Sequence, residues 1–213
     1  MKFVAQAGSR GQSSGILSYG LANSALAWLY DLVQRLAGLE EVRRHLAPHL
    51  SRLHGRVIDI GAGTGLYASL VPFESYLGVD VEEEKLLRLQ ARVPGAVTVL
   101  ADATALPVED SSFDNGICIN VCHHLSDADL DRVVAELARV VSGTVVFVDP
   151  VLTDRAWSRA LWSIDRGAYP RKANTVLDAL RSAFVLDHTE EFRVRHTYVL
   201  AVARRRDHEQ RLH

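Results

Sequence analysis

The chain has 213 residues, of which 48% are hydrophobic, and its 24 basic and 26 acidic residues give a formal net charge of −2. This length and composition predict one globular domain with a sizeable core, and the charge gives no electrostatic case for nucleic-acid binding. No apolar run reaches the roughly 18 residues of a membrane span, and the N-terminus lacks the apolar stretch of a signal peptide. Only two cysteines are present. We therefore expect a cytoplasmic protein without a disulfide scaffold.

The first 54 residues are predicted to be an arm followed by helices. Residues 1–15 are rich in Gly, Ser and Gln and are expected to be mobile. Apolar residues then recur at spacings of three and four, which predicts one helix ending at Gly38 and a second from about Glu40 to Leu53, interrupted near Pro48. Tyr19 and Tyr30 are candidates for contact with a bound substrate.

A buried strand and a glycine-rich turn are predicted at residues 57–65, VIDIGAGTG. Apolar β-formers alternate around Asp59, and glycines follow at every second position, 61, 63 and 65. Such a turn leaves backbone N–H groups accessible beside a ligand, because glycine has no side chain to block it. A helix from Thr64 to Val71, stopped by Pro72, is expected to follow.

The glycine spacing separates two ligand classes. Dinucleotide binders use G-x-G-x-x-G and would need a glycine where this chain has Leu66. The G-x-G-x-G motif of this chain begins two residues after an acid, Asp59. This pattern resembles that of the class I S-adenosylmethionine (SAM)-dependent methyltransferases. The resemblance covers residues 55–150 and the final strand. It implies an α/β, Rossmann-like α/β/α sandwich with a seven-stranded, mostly parallel sheet, strand order 3-2-1-4-5-7-6 and an antiparallel last strand. The N-terminal helices would cap the cofactor and substrate, or alternatively cover only a sheet edge.

A second strand, residues 75–81, ends at Asp80. Asp80 follows Gly61 by 19 residues, close to the roughly 20 expected for an acid that accepts hydrogen bonds from ribose hydroxyls. The alternative is that Asp80 caps a turn or helix. The helix predicted from Glu82 to Arg92 is expected to direct its leucines inward, namely Leu86, Leu87 and Leu89.

A third strand, residues 96–101, precedes Asp102 and Ala103, and LPVEDSSFD then leads into a fourth strand that ends at Asn120. The resemblance implies that Asp102 accepts a hydrogen bond from the adenine amine and that the Ala103 N–H reaches a ring nitrogen. Asp102 could instead form an Asx turn. The expected cofactor site comprises Asp59, Gly61, Ala62, Gly63, Gly65, Asp80, Val81, Asp102, Ala103 and Asn120.

The segment VCHHLSD after strand four resembles a loop of small-molecule methyltransferases. His123 is our candidate general base, because the reference pKa of histidine lies near neutrality. Asp149, at the end of the fifth strand, is the second candidate. His124 is expected to be buried and structural. A metal site formed with Cys118 and Cys122 is disfavoured, since no second ligand pair follows.

Further helices and strands follow this loop. Ser126 or Asp127 is expected to cap a helix that reaches Val141 and stops at Gly143. Residues 151–172 form an insertion that, in a fold of this family, would lie over the acceptor pocket, or alternatively contain only an amphipathic helix on the surface. Trp157 and Tyr169 are its candidate substrate contacts, and its arginines, Arg155, Arg159, Arg166 and Arg171, would bind an acidic acceptor or be solvated.

One domain is thus predicted over residues 1–213: arm and cap helices over 1–54, cofactor-binding core over 55–150, insertion over 151–172, and a closing helix and strands over 173–213. The expected function is methyl transfer from SAM, with S-adenosylhomocysteine as product, by in-line displacement to oxygen, carbon or nitrogen of a small molecule. No metal and no nucleic-acid partner is expected, and the protein would be a monomer or homodimer. The alternatives are a non-catalytic SAM-binding subunit and a nicotinamide-dependent oxidoreductase, which Leu66 disfavours.

Overall fold

The computed structural model describes residues 38–153, 169–194 and 196–206. The chain divides into two compact units, Met1–Glu40 and Glu41–His213. Tyr19, Tyr30 and Trp157, together with the first predicted helix, lie outside the described residues. The division into arm, cap, core, insertion and closing segments stays a prediction.

Seven strands form one sheet in the order β3-β2-β1-β4-β5-β7-β6. Strands β1 to β5 run parallel to one another, whereas β7 runs antiparallel to both β5 and β6. This topology confirms the predicted fold class. The strand bounds are β1 Arg56–Ile60, β2 Ser75–Asp80, β3 Val97–Leu100, β4 Phe113–Ile119, β5 Val141–Val151, β6 Phe184–Arg193 and β7 Thr197–Arg205.

Apolar side chains cover both faces of the central strands, as expected for parallel strands between helical layers. The α-helices of the described residues are α1 Leu39–Leu50, α2 Glu83–Arg92, α3 Asp127–Val140 and α4 Ala173–Arg181. On one face Ile58 and Phe147 belong to a core with residues of α3 and α4. On the other face Val57, Ile117 and Val146 belong to a core with residues of α1 and α2. None of the helices in the described ranges is long and apolar enough to span a bilayer.

The helix predicted at Thr64–Val71 is wrong, since the segment contains only a 3₁₀ turn, Ala68–Leu70. Gly63 and Gly65 have φ angles of +53° and +72°, so a right-handed helix cannot begin before position 66. Pro72 follows too soon for a full α-helix to form in between.

Two smaller predictions are also wrong. Leu87 is 59% exposed, because the inward face of α2 carries Leu86 and Leu89 and position 87 lies about 100° away from position 86. Gly143 does not stop a helix, since α3 ends at Val140 and β5 begins at Val141. A Cβ atom at Gly143 would collide with the backbone oxygen of Asp114, so glycine is needed there for close approach to β4.

Candidate functional site

The glycine-rich turn after β1 is hydrogen-bonded to β2 on one side and open at Gly63 on the other. The Ala62 N–H donates to the Val79 oxygen at 2.9 Å, which holds the turn against β2. A Cβ atom at Gly61 would collide with Val121, whereas at Gly63 the nearest atom is the Gly61 oxygen, 3.9 Å away. The turn therefore offers space for a ligand beside Gly63, at the carboxyl edge of the sheet where ligands bind in open α/β folds.

Asp80, at the end of β2, is buried and connects this turn to the start of α2. Its Oδ2 atom accepts a hydrogen bond from the Gly63 N–H at 2.9 Å, and its Oδ1 atom accepts one from the Glu82 N–H at 3.0 Å. Within the protein, Asp80 thus makes the contacts expected from the alternative prediction, in which it caps a turn or helix. Its predicted contact with ribose stays a prediction.

Asp59 is buried on the α1 side of the sheet, where the Tyr76 hydroxyl donates to its Oδ2 atom. Burial raises the pKa of Asp59 to about 7, the tyrosine bond opposes this increase, and the charge of Asp80 adds to it. A buried carboxyl that titrates near neutrality is well suited to pair with a cationic ligand group. Tyr76 was missed by the sequence analysis. Gly78 lies opposite Asp59 in the β1–β2 register, so Tyr76, two residues earlier on the same face of β2, is the diagonal neighbour of Asp59.

Asp102 and Val81 are exposed near the ends of β3 and β2. Asp102 Oδ1 accepts hydrogen bonds from the Thr104 N–H and from Thr104 Oγ1, both at 2.8 Å. These bonds, the backbone one first, lower the pKa of Asp102. The Asx-turn alternative is therefore observed, and the adenine contact of Asp102 and Ala103 stays a prediction. Val81 is 67% exposed, so an apolar surface is available beside Asp80.

Asn120, directly after β4, has two unusual features. Its φ angle is +60°, in the left-handed region that non-glycine residues seldom adopt. Its Nδ2 atom lies 3.5 Å from the Tyr67 hydroxyl, while its buried Oδ1 atom has no hydrogen-bond partner among the described residues. A buried acceptor without a partner costs about 1–3 kcal/mol. The amide is therefore in place to accept a hydrogen bond from a ligand. Tyr67 is a second residue that the sequence analysis missed.

His123 and Asp149, the two candidate bases, form one pair. His123 Nδ1 and Asp149 Oδ1 are 3.0 Å apart, and the side chains are 7% and 2% exposed. The prediction that His124 is buried is wrong, since this residue is exposed. The reason is the 3₁₀ turn Cys122–His124, which directs Cys122 and His123 inward. Whether His123 acts as a base stays a prediction.

Arg171 holds the loop that carries His123. Its guanidinium donates to the Cys122 oxygen at 2.7 Å, to the Leu125 oxygen at 2.5 Å and to Asp127 Oδ1 at 2.7 Å. Arg171 is only 7% exposed, so the prediction that it is solvated is wrong, and acceptor binding by Arg171 stays a prediction. These contacts fix the backbone on both sides of His123.

Tyr169 lies next to this loop. Its backbone N–H donates to the His123 oxygen at 3.0 Å, and its side chain is 45% exposed. The ring is thus accessible, and its contact with an acceptor stays a prediction.

Comparisons with known proteins relate this chain to methyltransferases. A family model described as a methyltransferase domain matches residues 58–148. The chain is 31% identical over 125 residues to a phosphatidylethanolamine N-methyltransferase of Cereibacter sphaeroides, covering 54% of this chain and 61% of the relative. It is 34% identical over 116 residues to a malonyl-[acyl-carrier protein] O-methyltransferase of Methylococcus capsulatus, covering 50% of this chain and 38% of the relative. The chain thus spans less than two thirds of either relative.

A solved structure has the same fold. It is geranyl diphosphate C-methyltransferase from Streptomyces coelicolor A3(2), in complex with Mg²⁺, geranyl diphosphate and S-adenosyl-L-homocysteine. The TM-score is 0.66 at 12% identity, and the match covers 79% of this chain and 81% of that one.

Proposed function

Because residues 58–148 form a class I SAM-dependent methyltransferase domain, we propose that the protein transfers a methyl group from SAM to a small-molecule acceptor. The observation that supports this most strongly is the open turn at Gly63 with the Asp80 carboxylate bonded to its N–H group. Two further groups fit the cofactor. The Asn120 amide offers a buried acceptor without a partner among the described residues, and Asp59 offers a buried acid for an ammonium group.

Each part of SAM would have its own set of protein groups. Asp59 and the glycine turn would hold the methionine portion, and Asp80 would accept from the ribose. Asp102, Ala103 and the exposed Val81 would hold the adenine. When bound, SAM supplies a methyl group on a sulfonium, which is already a good leaving group. The protein's main tasks are therefore to orient the acceptor and to exclude water.

The His123–Asp149 pair would handle the acceptor proton. With the proton on Nδ1 donated to Asp149, the imidazole presents Nε2 as the acceptor atom, so Asp149 fixes the tautomer and orientation of the ring. A base in this position typically contributes about 10²–10⁴-fold to the rate. Arg171 would keep the ring in place through the backbone of residues 122–125.

Isothermal titration with SAM tests the cofactor assignment. Asp80→Ala should weaken binding by about 1.5–3 kcal/mol, the scale of hydrogen bonds to a charged group. Asp187→Ala is the matched control, since this exposed acid on β6 is bonded to Arg204. Folded wild-type protein that does not bind millimolar SAM would refute the assignment, as would equal affinities of the two variants.

Methyl-labelled SAM can then be used to screen acceptors. The screen should include phosphatidylethanolamine and malonyl-[acyl-carrier protein], the acceptors in the names of the two relatives, beside hydroxyl, amine and acidic-carbon compounds of low molecular mass. Size-exclusion chromatography would show whether the protein is a monomer or a homodimer.

A further inference from the structure

Three histidines and one glutamate lie together between α1 and β6, among residues that the proposed reaction does not use. His45 and His49 are one helical turn apart on α1 and share a face. His188 and Glu190 are two residues apart on β6 and also share a face. The two pairs meet, since the rings of His49 and His188 stack with centroids 5.0 Å apart and His45 Nδ1 lies 3.0 Å from Glu190 Oε1.

The donor atoms are close enough to surround one ion. His49, His188 and Glu190 each offer one ligand atom, and these three atoms lie within 4.8 Å of one another. Ligands about 2.1 Å from a tetrahedral zinc ion are separated by roughly 3.4 Å. Side-chain rotations that move the donor atoms by about an ångström would bring them to this separation. Two imidazoles and a carboxylate match the ligands that zinc takes, whereas Mg²⁺ prefers oxygen ligands alone.

A neighbouring residue prepares one of these donors for a metal. His45 holds Glu190 by Oε1, while Oε2 of the same carboxylate lies 3.8 Å from His188 Nε2. His45 therefore orients Glu190 as outer-shell partners of metal ligands do.

We propose that His49, His188 and Glu190 bind a divalent transition-metal ion of the zinc class, with His45 as the positioning residue for Glu190. The ion would join α1 to β6, which is the outermost strand of the sheet on that side. Because α1 and β6 are far apart in the sequence, this link would stabilise a non-local contact, as structural zinc sites do.

Zn²⁺ titration of the full chain, produced without an affinity tag, tests the proposal. Wild-type protein should bind one Zn²⁺ and show a higher thermal midpoint in its presence, and Mg²⁺ should do neither. His49→Ala and His188→Ala should each lower the Zn²⁺ affinity at least tenfold, and His45→Ala should lower it about 10–100-fold. His54→Ala is the matched control, because this exposed histidine lies shortly after α1, and it should bind Zn²⁺ as the wild type does.

The outcomes are distinct. Circular dichroism without metal verifies that each variant is folded. We expect His188→Ala to fold because the His188 side chain is exposed. Co²⁺ in place of Zn²⁺ should give the intense visible absorption of a tetrahedral ion in the wild type, and His188→Ala should lack it. If Zn²⁺ affinity is the same in wild type, His49→Ala and His188→Ala, the ion binds elsewhere and the proposal is wrong. Equal responses to Mg²⁺ and Zn²⁺ would also overturn it.

Discussion

Replacing Arg171 with methionine should destabilise the folded protein by about 3 kcal/mol. Methionine keeps much of the apolar stem but removes the charged donor from the oxygens of Cys122 and Leu125. The Cys122 bond is buried, and its loss should cost about 2 kcal/mol, while the partly buried Leu125 bond should cost about 1 kcal/mol. The bond to Asp127 adds little, because that carboxylate is 84% exposed.

Urea denaturation followed by circular dichroism would measure this loss. Arg181→Met is the matched control, since Arg181 makes a 2.7 Å ion pair with Asp178 while both side chains remain at least half exposed. That variant should change the free energy of unfolding by less than about 0.5 kcal/mol. Equal losses in the two variants, or a loss below about 1 kcal/mol for Arg171→Met, would show that Arg171 does not hold the loop.

Three further predictions follow from the site. His123→Ala should lower kcat about 10²–10⁴-fold and leave SAM affinity within about threefold, and a larger loss of affinity in calorimetry would contradict a role as base. Gly63→Val should abolish SAM binding in a folded protein, because a branched side chain would fill the open turn and resist a φ of +53°. Asp59 keeps its proton in the folded state up to about pH 7 but loses it near pH 4 when unfolded. Ligand-free protein should therefore lose about 4 kcal/mol of stability between pH 4 and 7. Asp59→Asn should remove this loss in urea titrations at pH 4 and pH 8, and an unchanged pH dependence would refute the assignment.

Local patterns were sufficient to locate the ends of the central strands. The apolar runs before Gly61, Asp80 and Asn120 are buried strands, and each of these residues lies at or just beyond a strand end, as expected. The strand order came from the family resemblance and is confirmed. Side chains at these ends could be assigned to one edge of the sheet because parallel strands bring their carboxyl ends together.

The contacts that hold the site were harder to predict. Arg171 donates mainly to backbone oxygens. Because every residue has such an oxygen, the identity of the residues that accept from Arg171 cannot be predicted from the sequence. The roles of His123 and His124 depend on a single 3₁₀ turn, in which one step changes the direction of a side chain by about 120°. Tyr76 reaches Asp59 across a strand pair, and that contact follows from register rather than from a motif.

The two backbone bonds of Asp80 bear on how a protein of this kind can change its ligand during evolution. The same carboxylate that would accept from ribose also shapes the glycine turn and the entry into α2. A glutamate at this position places its carboxylate about 1.5 Å further from the backbone and cannot keep both bonds without moving the turn. A substitution at position 80 would therefore alter the glycine turn and the entry into α2 together with any ligand contact, so specificity for the nucleotide could not change at this position without a change in the loop that binds it.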